Sequence, residues 1–337
     1  MFRYFVKRIL LMIPVLCGVI LLVFLIMELS PVDPAEVMLG DGATPESIAK
    51  LRTEFGLDDP LLVRYGRYLL GLIQGDLGTS YKSKLNVAEE VIGRLPTTFL
   101  LAVGAMLWAM VIGIPLGIIS ARNQNKLIDN ISMVIALIGN AMPAFWMGLL
   151  LVMLFSLNLR WLPSSGINTT DGIVPFLKSI ILPTFTLGLV AMCSITRAMR
   201  SSMLDVINQD YIDTARSKGI TEWWVTMRHM FKNAMVVFLT FAGLQFGRLL
   251  GGAVMVEFIF AWPGLGRLMV DSISSRDIPL VVGSVVVLSI CFSLVNLLVD
   301  FLYAYVDPAI KTQYLSEGKR KRKISNEETQ ANLLSVK

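Results

Sequence analysis

The sequence predicts an all-α membrane protein with six transmembrane helices and both termini in the cytoplasm. Of its 337 residues, 55% are hydrophobic and only 16% are charged, whereas about a quarter of a soluble domain is charged. The deficit of charge comes from long apolar blocks, and about 20 helical residues are enough to cross the hydrocarbon core. The predicted spans cover residues 9–29, 96–121, 131–158, 177–199, 234–257 and 280–305.

The first span follows a basic start and ends in Met-Glu-Leu-Ser-Pro. A cleavable signal peptide has a shorter apolar core and small residues before the cut, so the sequence predicts a retained helix. Arg3, Lys7 and Arg8 then hold the N-terminus in the cytoplasm, because short cytoplasmic segments are rich in Lys and Arg. The other segments assigned to the cytoplasm follow the same bias, and seven Lys and Arg residues lie after residue 310.

Residues 31–93 form a predicted external helical region between the first and second spans. Thr44 is placed to cap a helix that stops at Gly56 and Pro60. The apolar residues of a second helix are spaced like a half-buried face and are Leu62, Tyr65, Leu69, Leu72 and Ile73. We expect these short helices to lie on the outer membrane face, followed by a short lead-in helix and by Pro96 at the start of the second span.

The spans combine small residues with a few isolated polar ones. Gly113 and Gly117 stand four apart, a spacing that lets helix backbones approach closely. The polar candidates for a translocation path are Asn140, Gln245, Arg248 and Glu257. Arg248 is the most informative, because a charge in the middle of a span costs about 2.5–3.5 kcal/mol or more to insert and usually faces a bundle interior or a cavity. A structural pairing of Arg248 with a carbonyl or a carboxylate is the alternative.

Sequence signatures of enzymes and metal sites are absent. There is no Gly-x-x-x-x-Gly-Lys-[Ser/Thr] phosphate loop, so the chain is not expected to bind ATP in that way. Its single histidine excludes a His-Glu-x-x-His site, and Cys17, Cys193 and Cys291 lie too far apart for a metal-binding motif. We therefore predict no catalytic residue, no metal and no cofactor on this chain, and no nucleic-acid partner.

The cytoplasmic segment between the fourth and fifth spans, residues 200–233, interrupts the apolar blocks. A helix through residue 218 is expected to end in a left-handed stop at Gly219. Its predicted common side consists of Ile207, Tyr211, Ala215 and Lys218.

A second short helix is predicted after Gly219. Thr221 is placed as its N-cap, and Glu222 is favourable in the first turn. Trp223 and Trp224 then suit either of two roles. They are knobs for another protein, or they anchor an amphipathic turn at the membrane interface.

Asp213, Thr214 and Ala215, followed by Gly219, resemble the E-A-A-x-x-x-G signature of binding-protein-dependent ABC importer permeases. Ala215 and Gly219 match it, while Asp213 and Thr214 replace Glu and Ala. His229, which stands in the place of the later Ile of that signature, resembles the dipeptide, oligopeptide and nickel branch.

Other stretches extend the resemblance over about residues 1–311. "SPVDP", "FGLDDPLLVRYGRYL", "GDLGTS" and "RLPTTFLL" resemble the B-type subunit of the two permeases in that branch. "GGAVMVEFIFAWPGLGRLMVDSISSRDIPLV" and "LVDFLYAYVDPAI" are similar to it nearly throughout.

The resemblance implies a type I ABC importer fold in the cytoplasmic (inner) membrane of a bacterium or archaeon. The implied partners are a second homologous permease subunit, two cytoplasmic ATPase subunits that bind ATP and Mg²⁺, an extracytoplasmic peptide-binding protein and the lipid bilayer. Residues 200–233 would be the coupling region in a groove of one ATPase. The coupling residues carried over are Asp213, Thr214, Ala215, Gly219, Glu222 and His229.

The resemblance also divides the chain and implies a cargo. The implied parts are an N-terminal transmembrane helix (1–30), the external region (31–93), the permease domain (94–307) and a basic cytoplasmic tail (308–337). The cargo would be dipeptides or oligopeptides, with nickel, a metal chelate or glutathione as alternatives. From a different class, a self-contained channel or a proton-coupled carrier would need more carboxylates than Glu28, Glu257 and Asp300 provide.

Overall fold

The computed structural model describes residues 2–29, 33–40 and 43–306, and the regular elements in those ranges are helices. The longer helices and their neighbours are α1 Phe2–Glu28, α5 Val87–Arg122, α6 Leu127–Ala141, α7 Ala144–Leu151, α8 Ile173–Ile207, α11 Phe231–Ile259, α12 Leu265–Ser274 and α13 Ile278–Val306. The short helices are α2 Pro34–Leu39, α3 Pro45–Glu54, α4 Leu61–Ile73, α9 Asp210–Ser217 and α10 Glu222–Trp224. A π-helical stretch, Val152–Asn158, continues α7, and another, Val225–Met230, joins α10 to α11. The predicted basic tail (308–337), the predicted cytoplasmic C-terminus and the side chains of Arg3, Lys7, Arg8 and Asp300 lie outside the described residues.

The third predicted span is where the helices differ from the prediction. Within the described ranges, α1, α5, α8, α11 and α13 are each long and apolar enough to cross a membrane. Residues 131–158 instead belong to a pair of helices, Leu127–Ala141 and Ala144–Asn158, with a bend of 102° between them. Pro143 explains the break: it has no N–H for a helical hydrogen bond, and it holds Met142 in the extended region at φ −79° and ψ 131°. The bent pair completes the six predicted spans only when it is taken as one.

Helices α5 and α8 pack along each other at the centre of the bundle, with α11 against both. A Cβ atom added at Gly117 would lie 2.7 Å from the carbonyl oxygen of Thr196, and one at Gly188 would lie 2.5 Å from that of Ala105. Gly113 approaches α8 as closely. The close helix approach predicted from the Gly113 and Gly117 spacing is therefore confirmed.

Local sequence signals located the external helix α3 correctly. Thr44 caps it, because its side-chain oxygen accepts from the backbone N–H of Ser47 while the Ser47 hydroxyl oxygen accepts from the N–H of Thr44. After α3 ends, Gly56 adopts a left-handed φ of +61° that turns the chain toward α4.

The predicted lead-in helix before the second span does not exist separately. Helix α5 runs without interruption from Val87, where Asn86 caps it by accepting from the N–H of Ala88, and Pro96 lies inside it. Prolines are tolerated inside membrane helices when neighbouring groups satisfy the freed backbone. The expected boundary between the external region and the permease domain, at residues 93 and 94, falls within this helix.

Helix α4 buries only part of its predicted face. Tyr65, Leu69 and Leu72 pack against a cluster formed by α1 and α13, whereas Leu62 and Ile73 are exposed. One side of α4 therefore fastens this region to the bundle. The other side of α4 carries apolar residues that no described part of the chain covers.

Candidate functional site

The cytoplasmic segment bends at Gly219, as predicted. Its φ is +75°, its N–H donates to the carbonyl oxygen of Arg216 at 2.9 Å, and the N–H of Ile220 donates to that of Ala215 at 3.4 Å. This pair of bonds is the Schellman end of a helix, which requires a left-handed residue after the cap. Thr221 occupies the predicted N-cap position of α10, but its side chain makes no capping hydrogen bond.

The helix before the bend differs from the prediction in two respects. A single helix through residue 218 was expected, whereas α8 ends at Ile207 and α9 begins at Asp210. The predicted common side is also not the buried side, because Tyr211 and Lys218 are exposed and the buried residues of α9 are Ile212 and Ala215. The prediction failed because it continued one 3.6-residue period through residues 208 and 209. The chain leaves the helix at those two residues.

The buried side of the segment joins the main core of the bundle. Ile212, Ala215, Val225 and Met230 belong to the same apolar cluster as residues of α8 and α11. Asn233 on α11 adds a polar tie, since its side-chain amide donates to the Tyr211 hydroxyl oxygen at 3.1 Å. The segment is therefore seated firmly on the two helices that flank it.

The opposite side of the segment is open. We call six of its exposed residues, those around the bend, the bend surface: Asp213, Thr214, Gly219, Glu222, Trp223 and Trp224. Both indole side chains are more than half exposed, at 61% and 57%. Arg216 braces this surface across the bend, because its guanidinium lies 3.2 Å from the Asp213 carboxylate and 3.0 Å from that of Glu222. Of the other predicted coupling residues, Ala215 is buried and His229 is half-buried.

A buried ion pair near the end of α8 was not predicted from the sequence. The Arg200 guanidinium donates two hydrogen bonds to the Asp129 carboxylate, at 2.6 and 2.7 Å, and Asp129 is 1% exposed. The same carboxylate accepts from the Ser120 hydroxyl and from the N–H of Asn125. These contacts join α5, α6 and α8 at the start of the segment of residues 200–233. The sequence signal that could have revealed this pair is a single acidic residue, Asp129, in the first turn of an apolar helix.

The predicted path residues do not form one cluster. Asn140, at the end of α6, is exposed, and its side-chain oxygen accepts from the Ser194 hydroxyl at 3.0 Å. Gln245 is buried, at 5% exposure. Arg248 is exposed and makes no ion pair with any described residue. It shares an exposed stripe of α11 with Leu244, Met255 and Phe258.

Glu257 lies elsewhere, fully buried against the start of α12. One carboxylate oxygen accepts from the backbone N–H groups of Gly266, at 2.7 Å, and Arg267, at 3.1 Å. Next to it, the Thr98 hydroxyl oxygen accepts from the N–H of Leu265 at 2.8 Å. Glu257, on α11, therefore caps the N-terminus of α12. A helix N-terminus favours a negative charge, because its first N–H groups have no partner within the helix.

We predict that Glu257→Ala destabilises the fold while Glu257→Gln does not do so to the same extent. Alanine leaves the buried N–H group of Gly266 and the partly buried one of Arg267 without an acceptor, and an unsatisfied buried donor costs about 1–3 kcal/mol. Glutamine keeps one acceptor oxygen where those donors point. Thermal unfolding of the purified chain in detergent measures the difference, and equal losses in the two variants would contradict the capping role.

Asp277 is a second buried acid whose structural role was not predicted from the sequence. It is fully buried before α13 and accepts from the Ser80 hydroxyl and from the backbone N–H groups of Tyr81, at 3.2 Å, and Lys82, at 3.1 Å. It thus fixes the loop before α5 to the start of α13.

These features define a multi-pass helical membrane protein in which the segment between the fourth and fifth spans presents the bend surface and the segment between the first and second spans is fastened to the bundle. The fold is similar to that of the MetNI methionine ABC transporter in an inward-facing crystal form, with a TM-score of 0.51 at 17% identity over 64% of this chain and 96% of that one.

Family comparisons identify the chain. Residues 113–312 match the binding-protein-dependent transport system inner membrane component, and residues 1–102 match the N-terminal model of the same kind of protein. The chain is 43% identical to the glutathione transport system permease protein GsiC of Salmonella paratyphi A over 92% of its length and 99% of that protein. It is 42% identical to the dipeptide transport system permease protein DppB of Alkalihalophilus pseudofirmus, over 92% of this chain and all of that one. The chain belongs to this family and is a permease subunit of an ABC importer, which confirms the resemblance found in the sequence.

Proposed function

We propose that this chain is one of two homologous permease subunits of an importer that moves short peptides across the cytoplasmic membrane of a bacterium or archaeon. Two relatives of nearly equal similarity support this cargo. One is named for glutathione, which is itself a tripeptide, and the other for dipeptides. A cargo class of short peptides accounts for both names, and glutathione remains the specific alternative within it.

The observation that carries the proposal is the bend surface. It is open to the cytoplasm, yet it rests on side chains buried in the core, and Arg216 braces it on both sides of Gly219. An exposed pair of tryptophans on a rigid support suits a protein partner, because large aromatic side chains dominate the stable contacts of protein interfaces. In the proposed machine this partner is one of two ATPase subunits, which bind ATP and Mg²⁺.

The proposed machine also has partners in the membrane and outside it. The second permease subunit would face the stripe of α11 that carries Arg248, because a charged side chain within a span is expected to face a cavity and not lipid. An extracytoplasmic binding protein would deliver the peptide to the outer ends of the helices. In the proposed division, residues 31–93 supply the external surface, 94–307 the permease domain and 308–337 a tail on the anionic cytoplasmic leaflet.

A photocrosslinker at Trp223 tests the docking of an ATPase. In membranes that hold the whole transporter, p-benzoylphenylalanine at this position is expected to form an adduct with the ATPase subunit. The same reagent at Lys50, on the exposed external helix α3, is the control and should form none. Adducts with lipid alone at position 223 would instead establish an amphipathic turn at the membrane interface.

Uptake into proteoliposomes tests the cargo and the class of transporter. With the permease pair, the ATPases and the binding protein present, labelled dipeptide is expected to accumulate only when ATP is supplied on the ATPase side. Excess glutathione competes if both are carried. Accumulation without any ATPase would overturn the proposal in favour of a carrier, and uptake of nickel without any peptide would overturn the cargo.

A further inference from the structure

Helix α4 has two apolar faces, and only one of them is covered by protein. Tyr65, Leu69 and Leu72 pack toward α1 and α13. The other face carries Leu62, Leu70 and Ile73, whose exposed fractions are 72%, 63% and 83%. These three residues recur at the spacing of one helical stripe. A stripe this apolar on an external helix requires something other than water to cover it.

Three contacts fix the height of α4 relative to the membrane-spanning helix α1. The Tyr65 hydroxyl donates to the backbone carbonyl oxygen of Cys17 at 3.1 Å. The ring of Phe24 contacts the rings of Tyr65 and Tyr68 edge to face, with centroids 6.2 and 5.8 Å apart. Cys17 lies about 16 Å below Glu28 along α1, since a helix rises about 1.5 Å per residue. A tyrosine side chain is too short to bridge that distance from a helix lying above the outer end of α1.

Helix α4 carries two arginines, and the one that reaches α1, Arg64, points outward. The other, Arg67, is 61% exposed and lies 2.7 Å from the carboxylate of Asp59, just before the start of α4. The Arg64 guanidinium lies 2.9 Å from the carboxylate of Glu28, at the outer end of α1, and is itself largely buried. Arginine behaves in this way when its stem crosses an apolar layer and its charge reaches the interface. Because Arg64 extends from α4 toward Glu28 at the end of α1, the lipid headgroups are expected to lie above the axis of α4 and not below it.

We propose that α4 is embedded in the outer leaflet beside α1 and that Leu62, Leu70 and Ile73 contact lipid acyl chains. The occupant is lipid because α1 exposes apolar side chains at the same depth, among them Leu22 and Ile26 at 59% and 64%. Helix α1, against which α4 packs, has few buried residues in its span and so offers an apolar surface on its other sides. This inference depends on the multi-pass membrane fold and not on the proposed cargo. It replaces the expectation that α4 lies on the membrane face.

Tryptophan quenching by brominated lipid tests the depth of α4. Leu70→Trp and Ile73→Trp would be compared in nanodiscs made with phosphatidylcholine brominated near the glycerol end of its acyl chains. The unaltered chain, with its six native tryptophans, supplies the background to subtract. Leu22→Trp on α1 is the control for lipid contact, and Lys50→Trp on α3 is the control for water.

Strong quenching of positions 70 and 73, close to that of position 22 and several-fold above that of position 50, is the expected result. Iodide in the buffer should quench only position 50. Quenching of positions 70 and 73 by iodide and not by bromine would place α4 in water and overturn the proposal. Protection from both quenchers would overturn it as well, because the stripe would then be covered by protein. Two substituted positions guard against a variant that fails to fold.

Discussion

A Gly219→Pro variant is expected to insert into the membrane normally and to lose ATP-driven uptake. Gly219 has a φ of +75°, whereas proline is restricted to about −65°. Proline also has no N–H to donate to the carbonyl oxygen of Arg216, so the turn between α9 and α10 cannot form. The bend surface would then lose the relative placement of Asp213 and Glu222. The substitution lies between spans, so the apolar helices that direct insertion are unchanged.

The matched control for this experiment is Gly219→Ala. Alanine keeps the N–H and meets no neighbouring atom within 4 Å, so its cost is the left-handed backbone alone, about 1–2 kcal/mol. We expect this variant to retain most of its uptake. Uptake would be measured in the reconstituted transporter, and insertion from the amount of full-length chain in membranes. A proline variant that transports as well as the unaltered chain would remove the bend surface from the transport mechanism.

An Arg200→Met variant is expected to lose about 3–5 kcal/mol of stability, because it leaves the buried carboxylate of Asp129 without its cation. Asp129 is almost inaccessible to water, and the remaining donors, from Ser120 and Asn125, are neutral. Arg200→Lys should lose less than Arg200→Met, since an ammonium keeps the charge but cannot form both parallel bonds.

The double variant Asp129→Asn with Arg200→Met separates the ion pair from its surroundings. It buries no charge, so it is expected to recover part of the stability that Arg200→Met loses. Thermal unfolding in detergent gives the comparison, and the same preparations can be assayed for uptake. If the double variant is as unstable as Arg200→Met or more so, the loss arises from packing and not from an unpaired charge.

Features set by local chemistry were predictable from the sequence. The cap at Thr44 and the left-handed stop at Gly219 depend on residues within one helical turn, and both are present. The close approach at Gly113 and Gly117 also follows from short-range spacing. The third span was predicted as one helix because its apolar character extends across Pro143. That proline nevertheless breaks the helix.

Features that join distant parts of the chain were not predictable in this way. Asp129 meets a partner 71 residues away, and Asp277 meets Ser80 across 197 residues. Each is an ordinary acid in the sequence, and only the fold supplies its donors. The same limit applies to Glu257, which was assigned to the path for its position in a span and whose hydrogen bonds to the N–H groups at the start of α12 were not predicted. The position of α4 likewise depends on what α1 places beside it.

The glycine contacts between α5 and α8 have a mechanical consequence. At 36 and 35 residues, these helices are about 50 Å long, well beyond the ~30 Å hydrocarbon core. With carbonyl oxygens less than 3 Å from where a methyl group would stand, neither helix can slide along the other without a collision. Trp262 is tied to Thr97 near the outer end of this pair, and Arg200 to Asp129 near its inner end. The glycine contacts therefore hold α5 and α8 in a fixed register along their length, and each helix is tied to a further part of the bundle near one end.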